Sequence, residues 1–188
     1  MPLPPLILAS ASPRRAELLR EMGLEFAVVH SSADEAHHEH LTARELCQLN
    51  AYRKARAVAR QHPAALVLGA DTLVCLGTQL FGKPASRAHA GRMLKALSGR
   101  THEVVTSVCL MHLQAHRCEI FADQTAVTFK TLDDETINRY LALVNTQDKA
   151  GAYAIQEHGE LIIERIAGSR SNVVGLPVEC LRAVLNRW

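Results

Sequence analysis

The stretch Leu6-Ile7-Leu8-Ala9-Ser10-Ala11-Ser12-Pro13-Arg14-Arg15 carries the reading of the fold. Its apolar first four residues read as a buried strand. A tight turn follows, and Pro13 suits the first position of a helix, where its missing N–H costs nothing. Ser12 is a good N-cap. A strand that turns directly into a helix brings free backbone N–H groups, the positive end of the helix dipole and two guanidinium groups into one small volume. Such a volume attracts an anion, and phosphate fits best.

Working outward, the helix stops near Gly23, and Phe26 to Val29 reads as a short strand. Residues 30–41 are polar and read as a loop. Thr42-Ala43-Arg44-Glu45 is a capping box that opens a helix to about Gln61. Ala65 to Ala70 reads as a compact apolar strand ending in Asp71-Thr72. A hairpin is expected from Leu73–Leu76 and Gln79–Phe81 around Gly77-Thr78, then a helix from Ser86 to Leu97, stopped by Gly99. Glu103–Leu113 and Cys118–Lys130 read as a long antiparallel pair. Asp133 caps a helix to Val144, Leu161–Ile166 is a strand candidate, and Val178 onward is helical. Mixed order with one long hairpin predicts an α/β fold with a mixed sheet.

At 188 residues the chain is read as a single domain over 1–188, and its 48% hydrophobic and 21% charged content is that of a soluble globular protein. No apolar run reaches the length of a membrane span, and the N-terminus lacks the pattern of a secretory signal; a cytoplasmic location is expected. Net charge is only +2 and no Lys/Arg block stands out, so neither nucleic acid nor membrane is expected as a partner. The five cysteines contain no C-x-x-C and read as buried free thiols in a reducing compartment.

Several polar residues look out of place. Asp71 follows six small or apolar residues, where open α/β sheets present ligands; a turn aspartate capping its own backbone is the plainer alternative. Lys54 shares a helical stripe with Cys47, Ala51 and Val58, so it either snorkels to solvent or meets an anion. Lys83, between Gly82 and Pro84, suits a positioned phosphate ligand or a solvated turn. Glu35 with Asp71 could supply the one or two carboxylates that Mg²⁺ or Mn²⁺ takes beside substrate phosphates. The His37-His38-Glu39-His40 cluster has no second half elsewhere, which favours a solvated loop over zinc. In Asp148-Lys149-Ala150-Gly151-Ala152-Tyr153, small residues permit close backbone approach to a ligand. Gln156 could pair with a base edge through its amide.

Together these segments, with Asn172-Val173-Val174-Gly175-Leu176-Pro177 and Leu97-Ser98-Gly99-Arg100-Thr101-His102, resemble the Maf family of nucleoside triphosphate pyrophosphatases over nearly the whole chain. The resemblance implies a Maf/ITPase-like α/β fold, an elongated mixed β-sheet flanked by helices with two lobes around a cleft, and a homodimer. It implies hydrolysis of a nucleoside triphosphate to the monophosphate and pyrophosphate with a divalent metal cation, Mg²⁺ or Mn²⁺. Asp71 would be the proton acceptor. Glu35 and Asp71 would hold the metal, and Ser10, Arg15, Lys54 and Lys83 the phosphates. Arg14, Thr72 and Gln156 match the dTTP/UTP type; members acting on 7-methyl-GTP carry tryptophan, glutamine and glutamate there. CTP and modified pyrimidine nucleotides are further candidate substrates. One departure is Glu157, where the family usually has glycine; it would bring a side chain and a negative charge near the base pocket. The alternative in another class is a nucleotide-binding regulator of cell division in which hydrolysis is incidental.

Overall fold

The computed structural model describes residues 4–36 and 40–188. The strand β1 (Leu6–Leu8) is buried on both faces and lies between two parallel neighbours, β2 (Phe26–Val28) and β3 (Leu66–Leu76). Parallel strands need a crossover. Helix α1 (Pro13–Glu21) supplies the first and α2 (Ala43–Ala59) the second. The capping box forms as expected: the Thr42 hydroxyl accepts from Glu45 N–H, and the Glu45 carboxylate accepts from Thr42 N–H at 2.9 Å.

The rest of the sheet is antiparallel. β4 (Gln79–Phe81) folds back on β3, and β5 (Thr101–His112), β6 (Arg117–Phe129) and β7 (Ile163–Ala167) complete an order β2-β1-β3-β5-β6-β7. Helices α3 (Arg87–Leu97), α4 (Asp134–Leu143), a short α5 (Arg170–Val174) and α6 (Val178–Leu185) cover it. The expected mixed sheet with flanking helices is the observed fold.

Side chains alternate across a strand, and this sorts the core. Leu66, Leu68 and Ala70 pack with Leu18 and Leu19 of α1 and Leu181 of α6. Val67 packs on the other face with Ala51, Ala55 and Val58 of α2. A second apolar body forms around the far half of the sheet, where Val74, Val104 and Phe129 meet Leu94 of α3 and Tyr140 of α4. These two bodies are the lobes.

Four expectations need correction, and one helix is new. Asp71 and Thr72 do not end a strand: β3 runs through them, because β5 pairs with it without interruption from Val67 to Cys75 and opposes Ser107 to Asp71 and Thr106 to Thr72. The hairpin after them therefore uses the second half of β3. Ser12 occupies the N-cap position but its side chain caps nothing; instead Ser10 Oγ accepts from Ser12 N–H at 3.1 Å. The strand near Leu161 begins at Ile163, since Gly159–Leu161 forms a 3-10 turn. The helix α5 was not anticipated; its five residues carry no long apolar period. The thiols are not all buried: Cys47, Cys75 and Cys109 are, Cys180 is half-buried, and Cys118 is exposed near the start of β6. Residues 37–39 of the histidine cluster fall outside the described residues.

Candidate active site

The long β3 has a gap in its pairing. Its Leu66–Leu68 segment pairs with β1 and its Val74–Leu76 segment with β4. Between them, β3 keeps β5 on one side and has an open edge on the other. A cleft of about 560 Å³ occupies this gap, lined by the turn after β1, the start of α1, Asp71 to Val74, the Gly82-Lys83 loop, residues 147–150 and 153–156, and Val173 to Gly175. Such a position, at the end of a parallel strand where neighbouring chains diverge, is where open α/β sheets bind ligands.

Asp71 is 5% exposed, and its carboxylate is met by two residues of α2. Lys54 Nζ donates to Asp71 Oδ1 at 2.6 Å, and Asn50 Nδ2 to Oδ2 at 3.3 Å. The helix can lie this close because Gly69 has no side chain: a Cβ there would stand 2.4 Å from the Ala51 carbonyl oxygen and 2.6 Å from Ala55 N. Lys54 also donates to Glu35 Oε1 at 2.9 Å, and Lys83 Nζ lies 3.6 Å from the same oxygen. Burial alone would raise the Glu35 pKa, but the Lys54 hydrogen bond and the Lys54 and Lys83 charges outweigh it and hold the carboxyl below its ordinary value.

Arg15 is held by three acceptors. Nε donates to Gly175 O at 2.8 Å, Nη1 to Ser10 Oγ at 3.2 Å and Nη2 to Thr72 Oγ1 at 3.0 Å. A guanidinium has five N–H donors, so two remain for a ligand. Thr72 and Thr106 share a hydrogen bond at 3.0 Å, and Thr106 donates to Asn172 O at 2.9 Å. The Thr106 proton is thus committed, which makes Thr72 its donor. Arg14 points elsewhere: Nη1 donates to Asp148 Oδ2 at 2.8 Å. Gln156 is exposed on the cleft wall. Two tyrosines pin its segment. Tyr153 OH shares a 2.8 Å hydrogen bond with His102 Nε2, and Tyr140 OH accepts from Ala154 N–H at 2.9 Å.

Every residue singled out from sequence as a site residue (Ser10, Arg14, Arg15, Glu35, Lys54, Asp71, Thr72, Lys83 and Gln156) lines this one cleft. Glu157 does not; its side chain turns to Lys149. Sequence reasoning passed over Asn50, which holds the Glu35 loop through Ala36 N–H to its Oδ1 at 2.7 Å while touching Asp71. The signal was available: Asn50 lies four residues before Lys54, on the stripe with Cys47 and Ala51. Thr106 and the Gly175 carbonyl were also passed over, and nothing local marks them.

Glu35 and Asp71 supply hard oxygen donors of the kind Mg²⁺ and Mn²⁺ take. Both accept from one ammonium, Lys54 Nζ, at 2.9 and 2.6 Å, so the two carboxylates face a common point. Among the described residues no cluster of three or more His, Cys, Asp or Glu stands ready to hold a metal. Also among them, no helix is long and apolar enough to cross a membrane.

A protein of Akkermansia muciniphila named dTTP/UTP pyrophosphatase is 45% identical over 184 residues, covering 98% of this chain and 96% of its own length. Proteins of the same name from Acetivibrio thermocellus and Moorella thermoacetica are 45% and 47% identical, over 96% and 92% of this chain and 93% and 89% of their own lengths. The family model described as Maf-like protein matches residues 5–188, from the opening strand through the last helix, and with it the cleft in the β3 gap is that of a chain belonging to the Maf family.

Proposed function

We propose that this protein hydrolyses dTTP and UTP to the nucleoside monophosphate and pyrophosphate. The observation that carries the reading is a single cleft lined by a buried carboxylate, Asp71, by the phosphate-binding candidates Ser10, Arg15, Lys54 and Lys83, and by Arg14 and Gln156. The names of the relatives support the substrate.

In this mechanism Asp71 accepts a proton from the water that attacks the α-phosphorus. Its geometry suits a base, since Lys54 and Asn50 hold the carboxylate in place. The two spare N–H groups of Arg15, the third N–H of Lys54, the Ser10 hydroxyl and Lys83 bind the phosphates and stabilise the charge that grows on the leaving pyrophosphate. Glu35 and Asp71 would hold Mg²⁺ or Mn²⁺, which when bound supplies charge neutralisation on the triphosphate. The amide of Gln156 offers a donor and an acceptor to a uracil or thymine edge, and Arg14 borders the same space. Thr72, whose hydroxyl is committed to Arg15 and Thr106, contributes to selection by shape. The working form is a cytoplasmic homodimer with neither nucleic acid nor membrane as partner; sedimentation of the purified protein checks the dimer.

The test of the function is pyrophosphate release from a panel of dTTP, UTP, CTP, modified pyrimidine nucleotides and 7-methyl-GTP, with and without Mg²⁺ or Mn²⁺. Release from dTTP and UTP ahead of 7-methyl-GTP, dependent on metal, is expected. Tight nucleotide binding with no release would overturn the enzyme reading in favour of the regulator.

A further inference from the structure

Lys149 is a charged side chain that the proposed chemistry leaves without a part, and it is 6% exposed. A buried ammonium needs acceptors for three N–H groups and a counter-charge. It finds acceptors in Asn145 O at 2.6 Å and Asp148 Oδ1 at 2.9 Å, and a second counter-charge in Glu157 Oε1 at 3.3 Å. Asp148 is shared: its other oxygen accepts from Arg14 at 2.8 Å. Burial would raise the Asp148 pKa, but Lys149 and Arg14 outweigh it and hold the carboxyl below its ordinary value. The four charges therefore alternate in sign along a chain Arg14–Asp148–Lys149–Glu157. One end is the guanidinium on α1 that borders the base. The other is the residue directly after Gln156.

Glu157 stays out of the cleft while its neighbour Gln156 lines it. The Glu157 carboxylate instead lies 3.3 Å from Lys149 Nζ, within a run of bends over residues 155–158. We infer that Glu157 is a positioning residue for base selection: its ion pair with Lys149 holds the Gln156 amide toward the base. This rests on the pyrimidine-nucleotide reading of the cleft. It also removes the concern that Glu157 places a free negative charge against the base, because Lys149 neutralises it.

The test compares wild type, Glu157→Gly, Glu157→Gln, Gln156→Ala and the Gln156→Ala/Glu157→Gly double variant. Two readouts are taken: steady-state kinetics with dTTP, and equilibrium binding of α,β-methylene-dTTP, which does not require turnover. Inorganic tripolyphosphate, which has no base, serves as an inhibitor probe of the phosphate end. Glu157→Gly raises KM for dTTP and Kd for the analogue about fivefold, with kcat within about twofold and tripolyphosphate inhibition unmoved. Glu157→Gln, which keeps an acceptor but loses the charge, falls between. In the Gln156→Ala background the glycine substitution adds less than about twofold, since the amide it positions is gone. Unchanged KM and Kd in Glu157→Gly, an equal loss of tripolyphosphate inhibition, or full additivity in the double variant would each overturn the proposal. A wild type that binds the analogue without releasing pyrophosphate would overturn the hydrolase reading alone, because the binding series still decides the role of Glu157.

Discussion

The two ends of the cleft are built differently. At the phosphate end, Asp71, Lys54 and Asn50 stand on a long strand and a long helix whose backbones touch at Gly69. At the proposed base end, Asp148, Lys149 and Gln156 stand on a short stretch of turns between α4 and β7, pinned by Tyr140 and Tyr153, and ion pairs tie Arg14 of α1 to it. The first end owes its geometry to regular backbone, which is hard to deform without loss of the fold. The second owes it to side chains, which can be exchanged one at a time. In a nucleotide pyrophosphatase that division suits the chemistry: the triphosphate is common to all substrates and the base is what varies.

The sharpest way to break the comparison is at the phosphate end. Asp71→Asn keeps the size of the side chain and one of its two acceptor oxygens but cannot take a proton, so kcat for dTTP is expected to fall by about 10³-fold while analogue binding survives. Near-full activity in this variant would remove Asp71 from its role. Gly69→Ala probes the backbone contact itself. The added Cβ meets two backbone atoms of α2 at 2.4 and 2.6 Å, and neither can swing aside. A loss of about 3 kcal/mol, a fall of roughly 10 °C in Tm, is expected by calorimetry. A wild-type melting curve would show that the helix and strand are less tightly opposed than described.

The base end should respond to acid. His102 is buried against Phe129 and Tyr153, and burial lowers its pKa from 6.5 to about 4. The unfolded chain therefore takes up the proton first. The neutral ring's stability is fully present above about pH 6.5 and lost as pH falls toward 4, by up to about 3 kcal/mol. Urea unfolding between pH 7 and 4 measures this, and His102→Gln should flatten that part of the profile. A variant with the same slope as wild type would assign the acid sensitivity elsewhere. The smallest effect is expected from Gln156→Ala on the exposed wall. It should cost dTTP about tenfold in kcat/KM, most of it in KM, and narrow the preference for dTTP and UTP over 7-methyl-GTP. If selectivity is untouched, the base is read by other groups.

How much of this was legible before folding differs between the two ends. The strand–turn–helix around Ser10 and Pro13, the capping box at Thr42 and the cap at Asp133 are local, because each depends on residues within a few positions of one another. The length of β3 was not local. Asp71 and Thr72 look like the end of an apolar run, yet they continue a strand because β5, some thirty-five residues later, pairs with them. Asn50 was readable from its stripe, whereas the Thr72–Thr106–Asn172 relay joins three segments with no sequence relation.

By itself the sequence determined the family, the mixed α/β fold and the side chains that line the cleft, since motif spacing, apolar period and capping chemistry act over short distances. Only the tertiary structure decided what those side chains do to one another. It placed Lys54 between Glu35 and Asp71, turned Arg15 into a strut between Ser10, Thr72 and Gly175, and paired Glu157 with Lys149. Charge pairing falls off steeply with distance and burial, so partners far apart in the chain cannot be assigned until the fold has brought them within a few ångströms.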